Sequence, residues 1–340
     1  MGGTTFSFGY KSSDVDQGGF FVQASVAGSA PHTFQLDSGS CGMIIGQNYL
    51  PSNLNLNDYP CFGPGQMHYL PSNNIRSGTW YFLPISLIDT PSGKTIDSNC
   101  MVLVINDPAD FGGGMMGVAA QASYPAYNAL LNAYVTVDDQ KQPLTQSFVL
   151  TQQAAIIGAD HTDLGFPGFH YVQLVTPTEL PLEPAQTNQV PMNWQSSPIW
   201  SPPQTTLTLK GSGEAQPASA SANFMMDTGI NQMLMVAPDS FIPANALESG
   251  TGQRQFVPNI GTQIGIELLG LGGAQLLSYT FTVDSPAATT PPETPADVVY
   301  LGQSTNAADP YKVNVGIHPL RSHLYMYDYA AGLIGFAPIA

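Results

Sequence analysis

The first part of the chain alternates between apolar and polar residues in the way that is typical of half-buried β-strands. Residues 20–27 and 32–36 both alternate with a period of two, which places successive side chains on opposite faces of a sheet. Residues 28–31 between them have the composition of a turn, so the two segments predict a β-hairpin. The hairpin leads into residues 37–40, which read Asp-Ser-Gly-Ser, and a short apolar run follows at residues 43–45.

The same arrangement returns in the second half of the chain. Residues 205–210 alternate, and the apolar residues 224–226 then lead into the tripeptide Asp227-Thr228-Gly229. Another apolar run follows at residues 233–235. A repeat of strand, Asp-Ser/Thr-Gly and strand predicts two homologous lobes.

This repeat sets the expected domain organisation. We expect residues 1–180 to form an N-terminal lobe and residues 181–340 a C-terminal lobe, connected through the Pro-rich stretch 176–203. The pattern also predicts short helices at residues 127–134 and 238–247. The chain contains 34 Gly and 29 Pro, which break helices, so the rest is expected to consist of strands and turns. The predicted fold class is all-β.

The balance of charges limits the classes of partner. Charged residues make up 9% of the chain, well below the roughly 25% that is usual in soluble proteins. Eight basic residues stand against 24 acidic ones, which gives a net charge of −16 at pH 7. Nucleic acids and anionic membranes are not expected as partners, because binding them needs clustered Lys and Arg. The acidic excess fits either an ordinary acidic surface or a protein built to work in acid.

The cysteines and the apolar runs give little information about the compartment. Cys41, Cys61 and Cys100 include no Cys-x-x-Cys pair, so a zinc ribbon or a thioredoxin-like site has no support. One disulfide with one remaining thiol and three free thiols are both compatible with the sequence. No apolar run reaches transmembrane length, and the residues after Met1 do not have the pattern of a signal peptide.

The repeated tripeptide carries the candidate chemistry. A single Asp-Ser/Thr-Gly is usually a turn in which the Asp accepts backbone N–H groups. Two copies, each between apolar strands, favour a functional interpretation. Two carboxylates held about 3 Å apart share one proton, so that one acts as a base towards water and the other as an acid. Asp37 and Asp227 are therefore the candidate catalytic pair.

Longer segments around both copies resemble the pepsin family of aspartic endopeptidases. Residues 18–40 are similar to the opening hairpin and first catalytic loop of that family, residues 222–229 to its second loop, and residues 313–340 to its C-terminal run. Apolar-apolar-Gly segments, which support each loop in the family, occur at residues 115–117 and at the start of the C-terminal run, where Asn314 is a polar exception. The resemblance implies a two-lobed, pepsin-like acid protease fold with an active cleft between homologous lobes.

The resemblance also implies roles for individual residues. Asp37 and Asp227 would be the catalytic carboxylates, and a β-hairpin flap containing Tyr69 near its tip would close over the substrate. A surface tyrosine beside a loop is the alternative interpretation of Tyr69. The implied supporting residues are the hydroxyls of a cross-loop lock, the glycines that contact the carboxylates, and a hydroxyl on the outer oxygen of the first Asp: Ser38, Thr228, Gly39, Gly229 and Ser40.

The implied activity is hydrolysis of peptide bonds in extended polypeptides at acidic pH, with the two carboxylates activating a water. No cofactor and no metal is expected, and the partner is a polypeptide substrate with apolar side chains at the scissile bond. The family further implies a monomer that is secreted or periplasmic.

Some residues depart from the pattern of the family. Ile230 stands where a Thr or Ser hydroxyl usually lies, so we expect Asp227 to have fewer hydrogen-bond donors than Asp37 and to carry the shared proton. Ile44 stands where a Trp often supports the flap tyrosine, and Cys41 is expected to be a packed thiol. These departures keep one alternative open: a pepsin-fold binding or inhibitor protein with weak or no catalysis.

Overall fold

The chain is described by a computed structural model in which the following residues are placed: 4–16, 19–69, 72, 74–106, 114–119, 124–163, 165, 168–176, 198–250, 252–258, 260–283, 290–295, 297–304 and 310–339. Within these ranges the regular structure consists of β-strands and short 3₁₀ turns, without an α-helix. No helix among them is long and apolar enough to span a membrane.

Ten strands of the described N-terminal half form one sheet. They are β2 Ser12–Asp14, β3 Gly19–Val26, β4 His32–Asp37, β5 Cys41–Gly46, β6 Cys61–Tyr69, β7 Asn74–Ile88, β8 Thr95–Ile105, β9 Gly114–Val118, β10 Tyr134–Val137 and β11 Gln140–Pro143. The strands β3 and β4 form the hairpin that the alternation predicts, with Val22 opposite Phe34. A period of two separates the two faces of these strands, so one face is buried and the other is partly exposed. The buried face carries Phe20, Val22, Ala24, Val26, Phe34 and Leu36.

A second sheet contains eight strands of the described C-terminal half. They are β15 Gln204–Lys210, β16 Ala218–Met225, β17 Gln232–Val236, β18 Arg254–Gln255, β19 Gln263–Leu269, β20 Gln275–Thr282, β21 Asp297–Tyr300 and β22 Lys312–Asn314. The strands β15 and β16 form an antiparallel pair, and β16 leads to the second Asp-Ser/Thr-Gly tripeptide.

The two sheets repeat one arrangement around the two tripeptides. The strand before each tripeptide pairs in parallel with a short strand, β4 with β9 and β16 with β22. The strand after each tripeptide pairs antiparallel with that same short strand, β5 with β9 and β17 with β22. This repetition confirms the predicted all-β, two-lobed fold class. The expected boundary between residues 180 and 181 lies outside the described residues.

The third sheet joins the two ends of the chain. In the described part it has six strands: β1 Phe6–Gly9, β12 Ser147–Leu150, β13 Ala154–Ile157, β14 His170–Gln173, β23 His323–Asp328 and β24 Leu333–Pro338. The C-terminal strand β23 pairs with β12, placing Phe148 opposite Tyr327. The aromatic rings of these two residues meet edge to face with centroids 5.7 Å apart. Burial of large side chains at this pairing therefore ties the C-terminus to the N-terminal half.

The two helices predicted from the sequence are wrong. Only 3₁₀ turns form there, at Pro125–Tyr127 and at Asp239–Phe241. In the first segment, the side chain of Asn128 accepts the backbone N–H of Leu130 and so replaces a helical bond by a local turn. In the second, Pro243 lacks a backbone N–H and Asn245 has a φ of 63°, so a helix cannot continue.

None of the three cysteines forms a disulfide in the structure. Cys61 is exposed, Cys41 is half-buried and Cys100 is buried in the core. Burial raises the pKa of the Cys100 thiol far above its ordinary range, so Cys100 stays protonated and unreactive. The alternative with one disulfide is thereby ruled out for this structure.

Candidate active site

The two tripeptides meet between the sheets. Asp37 is the last residue of β4, and Asp227 follows two residues after the end of β16. Asp37 is 4% exposed and Asp227 is 7% exposed. A Cβ atom on Gly229 would lie 2.8 Å from Asp37 Oδ1 and 3.1 Å from Asp227 Oδ1, so the two carboxyl groups are adjacent. The structure therefore brings together, in one nearly buried place, the two side chains that the sequence repeat singles out.

A reciprocal set of hydrogen bonds locks the two loops together. The backbone N–H of Ser38 donates to Thr228 Oγ1 at 2.9 Å, and the backbone N–H of Thr228 donates to Ser38 Oγ at 3.0 Å. Each hydroxyl then donates onward across the interface, Ser38 Oγ to the carbonyl of Met226 and Thr228 Oγ1 to the carbonyl of Leu36. Each hydroxyl group donates one hydrogen bond and accepts one inside the buried contact, so the bonds fix the position of one loop relative to the other.

Each motif glycine packs directly on the carboxyl group of the opposite loop. A Cβ atom on Gly39 would lie 2.1 Å from Asp227 Oδ2, and a Cβ atom on Gly229 would lie 2.8 Å from the Asp37 carboxyl carbon. Neither distance is compatible with a real side chain. Glycine is required at both positions because the carboxyl group of the opposite loop lies where a side chain would begin. These short distances show directly that the two loops are in close contact.

The two carboxyl groups have matching hydrogen-bond donors. Asp37 Oδ1 accepts the backbone N–H of Gly39 at 2.8 Å, and Asp37 Oδ2 accepts the hydroxyl of Ser40 at 2.5 Å. Asp227 Oδ1 accepts the backbone N–H of Gly229 at 2.8 Å. The remaining oxygen, Asp227 Oδ2, accepts the amide Nδ2 of Asn314 at 2.7 Å.

The expectation that Asp227 has fewer donors than Asp37 is therefore wrong. Ile230 supplies no donor, as its side chain predicts, but Asn314 supplies one from the neighbouring strand β22. The sequence contained a signal for this residue, namely a polar Asn inside an otherwise apolar-apolar-Gly segment. Its target was not visible because the contact joins residues that are 87 positions apart.

Burial is the main influence on the protonation of Asp227. Removal from water raises the pKa of Asp227 well above its ordinary value, and the negative charge of Asp37 raises this pKa further. The bonds from Asn314 and Gly229 act in the opposite direction but are smaller. The proton is thus favoured on Asp227, for a different reason from the one expected from the sequence.

A long β-hairpin projects from the N-terminal sheet in the position of the expected flap. The strands β6 and β7 pair from Cys61 to Tyr69, with Tyr69 opposite Asn74 at the outer end. The Tyr69 hydroxyl is buried and has no partner of good hydrogen-bond geometry among the described residues. It lies close enough to Ser40 and Asp37 to interact with both, and burial followed by the Asp37 charge raises the pKa of Tyr69. Tyr69 is therefore not a surface tyrosine.

The sequence analysis missed Trp80, which supports this hairpin. Trp80 lies on β7, is 3% exposed, and belongs to a buried cluster that includes Ile44 and contacts Tyr69. Its ring meets Tyr127 edge to face at 5.2 Å, and a Cβ atom on Gly65 of β6 would lie 2.2 Å from its Nε1. A large aromatic side chain thus fills the space below the flap although position 44 holds Ile rather than Trp.

A pocket of about 610 Å³ lies between the flap turn and the C-terminal half. Six of its lining residues have polar side chains and one is apolar: Ser72, Gln232, Glu248, Gln253, Arg254, Gln255 and Val299. Ser72 belongs to the turn between β6 and β7, so the pocket opens beside the flap. An extended chain bound there would meet amide and charged side chains.

One cluster of possible metal ligands occurs elsewhere in the described residues. Ligand atoms of Asp160, His161 and Asp328 lie within 4.8 Å of one another. The oxygens of Asp328 are already used: Oδ1 accepts the backbone N–H of Ala331, and Oδ2 accepts the Nδ1–H of His161 at 2.7 Å. These bonds satisfy the buried carboxylate without an ion, and they attach the loop at residue 161 to the third sheet.

Comparison with known proteins supports the fold and no more. No family model matches the chain, and no curated protein matches it. The aspartic proteinase from Irpex lacteus matches 99% of this chain over 98% of its own, with a TM-score of 0.53 and 13% identity. The chain has the fold of an aspartic proteinase. The Basic 7S globulin from soybean matches 98% of this chain over 96% of its own, with a TM-score of 0.52 and 10% identity.

Proposed function

We propose that the chain is an aspartic endopeptidase that hydrolyses peptide bonds in extended polypeptides at acidic pH. The observation that carries the proposal is the pair of adjacent, nearly buried carboxyl groups of Asp37 and Asp227, whose loops are joined by a reciprocal hydrogen-bond lock. Holding two carboxyl groups together costs stability, because one of them must keep a proton in a buried place. A binding surface has no need of such an arrangement, whereas general acid–base catalysis does.

In the proposed reaction Asp37 is ionised and Asp227 carries the proton. Asp37 takes a proton from a water as that water attacks the scissile carbonyl carbon, and Asp227 gives its proton to the carbonyl oxygen. Collapse of the resulting diol breaks the C–N bond. The leaving nitrogen takes the proton from Asp37 and the departing hydroxyl proton returns to Asp227, so the pair regains its single shared proton.

The flap hairpin supports the proposal through the environment of the site. Tyr69 interacts with Asp37, and Trp80 belongs to the buried cluster against which Tyr69 packs. A flap held in this way would exclude water from the dyad and strengthen the interaction between its charges. The net charge of −16 fits an acidic working range, in which most of the 24 carboxyl groups lose their mutual repulsion. A secreted or periplasmic location and a monomeric state belong to the same proposal.

The rival function is that of a pepsin-fold binding or inhibitor protein. The same fold occurs in a soybean protein that is named a globulin rather than a proteinase, so the fold alone does not decide. The intact dyad favours the peptidase, because a binding protein would be free to lose either carboxyl group.

The test is digestion of an unfolded protein such as casein, at pH 3 to 6, with the parent chain and with Asp37→Asn and Asp227→Asn. Each substitution should lower kcat/KM by at least about 10²- to 10⁴-fold, the usual contribution of a positioned acid or base. The matched control is Asp139→Asn, an exposed residue with a φ of 60°, which Asn also tolerates. A folded parent that cleaves nothing while it captures a protein partner would point to the rival.

A further inference from the structure

The two active-site loops draw their side-chain donors from different positions. After Asp37 the donor is Ser40, the third residue along the loop. The third residue after Asp227 is Ile230, which has no polar side-chain atom. Its backbone carbonyl accepts the N–H of Ile317, so the backbone at position 230 is held in place, but the side chain offers no hydrogen-bond donor to Asp227.

In the strands that support the two loops, the first lobe has the apolar residue and the second lobe has the polar one. On β9, which supports the first loop, Met115 precedes Gly117 by two residues and is apolar. Asn314 is the last residue of β22 and precedes Gly316 by the same two residues, and its side-chain amide bonds Asp227. The polar and apolar residues at these two positions have therefore changed places between the halves, and each carboxyl group still receives one side-chain donor.

Asn314 is held in a closed set of hydrogen bonds. Its Oδ1 accepts the backbone N–H of Gly316 at 3.0 Å, and its Nδ2 donates to Asp227 Oδ2 at 2.7 Å. The backbone N–H of Asp227 in turn donates to the carbonyl of Gly316 at 3.2 Å. A backbone N–H only donates, so the amide oxygen must face Gly316 and the amide nitrogen must face Asp227. The orientation of the side chain is therefore unambiguous.

The strand pairing places Asn314 where this bond is available. Asn314 lies opposite Met225 in the parallel pair β16–β22 and opposite Leu234 in the antiparallel pair β17–β22. It is thus between the strand that enters the second loop and the strand that leaves it. A side chain at this point reaches the second catalytic carboxyl group from below, independently of the residue at position 230.

We propose that Asn314 is a positioning residue of the reaction, supplying to Asp227 the donor that Ser40 supplies to Asp37. This inference rests on the proposed peptidase function. The amide fixes the rotation of the Asp227 carboxyl group and stabilises its ionised form.

The decisive experiment removes the amide and then restores a donor from the other position. Asn314→Val should lower kcat/KM by about 10- to 100-fold, the usual value of a hydrogen bond to a charged group. The alkaline limb of the pH profile should move to higher pH, because the ionised form of Asp227 loses a donor. The double variant Ile230→Thr with Asn314→Val should recover activity and move that limb back, since its hydroxyl would stand where Ser40 stands beside Asp37.

Asn314→Asp keeps the shape of the side chain and serves if the Val variant does not fold. Its new carboxyl group donates only while protonated, so activity should be confined to more acidic pH than in the parent. The matched control is Asn99→Val, an asparagine on β8 of the other sheet, which should leave both limbs of the profile unchanged.

A titration of the Asp227 carboxyl carbon by NMR separates this inference from the proposed function, because it needs no turnover. The midpoint should rise in Asn314→Val and return in the double variant, whether or not the parent cleaves peptides. An inactive parent with these shifts would remove the peptidase proposal and leave the donor exchange standing. Unchanged titration and unchanged pH limbs in Asn314→Val would overturn the inference.

Discussion

Gly39→Ala is the substitution that tests the closeness of the two loops most directly. The added Cβ atom would lie 2.1 Å from Asp227 Oδ2 and 2.2 Å from Asp227 Cγ, whereas ordinary contacts begin at 3.4 Å. The backbone at position 39 is tied by its N–H to Asp37, so the Asp227 carboxyl group has to move. The required displacement is about 1 Å, and a misplacement of about that size costs on the order of 10²-fold in rate.

The loss of activity should exceed the loss of stability. Inserting one methyl group into a tight contact destabilises by about 1–3 kcal/mol, which leaves a domain of this size folded at 25 °C. Initial rates of casein hydrolysis in acid give kcat/KM, and calorimetry gives the unfolding temperature of the same samples. Gly229→Ala should be milder, because its Cβ atom would lie 2.8 Å from the Asp37 carboxyl group.

The matched control is Gly165→Ala. Gly165 is exposed, and the nearest neighbour of its added Cβ atom would be the flexible side chain of Asp163 at 3.2 Å. This variant should keep full activity. If Gly39→Ala were as active as Gly165→Ala, the two carboxyl groups could not be packed as described, and the reasoning about the dyad would fail.

Three further predictions concern the lock, the protonation of the dyad and the flap. Thr228→Val removes a hydroxyl that bonds both the Ser38 N–H and the Leu36 carbonyl, so it should lower the free energy of unfolding by about 2–4 kcal/mol. Thr228→Ser keeps the hydroxyl and should keep the stability of the parent. Equal denaturation midpoints for the two variants would contradict the lock. Because the pKa of Asp227 is raised in the folded protein, its stabilising contribution is present in acid and is lost as the pH rises through that pKa. The melting temperature of Asp227→Asn should therefore rise relative to that of the parent as the pH increases. A constant difference between the two melting temperatures from pH 4 to 7 would argue against the raised pKa. Tyr69→Phe removes a buried hydroxyl that has no hydrogen-bond partner of good geometry, so it should keep or raise the unfolding temperature while it lowers kcat/KM. A loss of stability without a loss of activity would mean that Tyr69 serves only in packing.

The strands and the dyad were accessible from the sequence because their signals are local. A period of two along β3 and β4 follows directly from which face of a strand is buried, and each candidate catalytic Asp lies at or close to the end of such a strand. The repeat of the tripeptide then indicated two lobes. Local composition failed for the helices at residues 127–134 and 238–247, because the apolar content of these segments reflects burial of turns rather than helical periodicity.

What only the tertiary structure decided is which distant side chains complete each carboxyl group. Asn314 contacts Asp227, 87 residues away, because β22 lies between β16 and β17. Trp80 fills the space beside Ile44 because β5 and β7 both pair with β8. A residue pattern records the burial of each strand but not the identity of its neighbours. The sequence by itself therefore determined the elements and the two acidic residues, whereas strand pairing determined their hydrogen-bond partners, because such partners come from whichever strand closes the sheet.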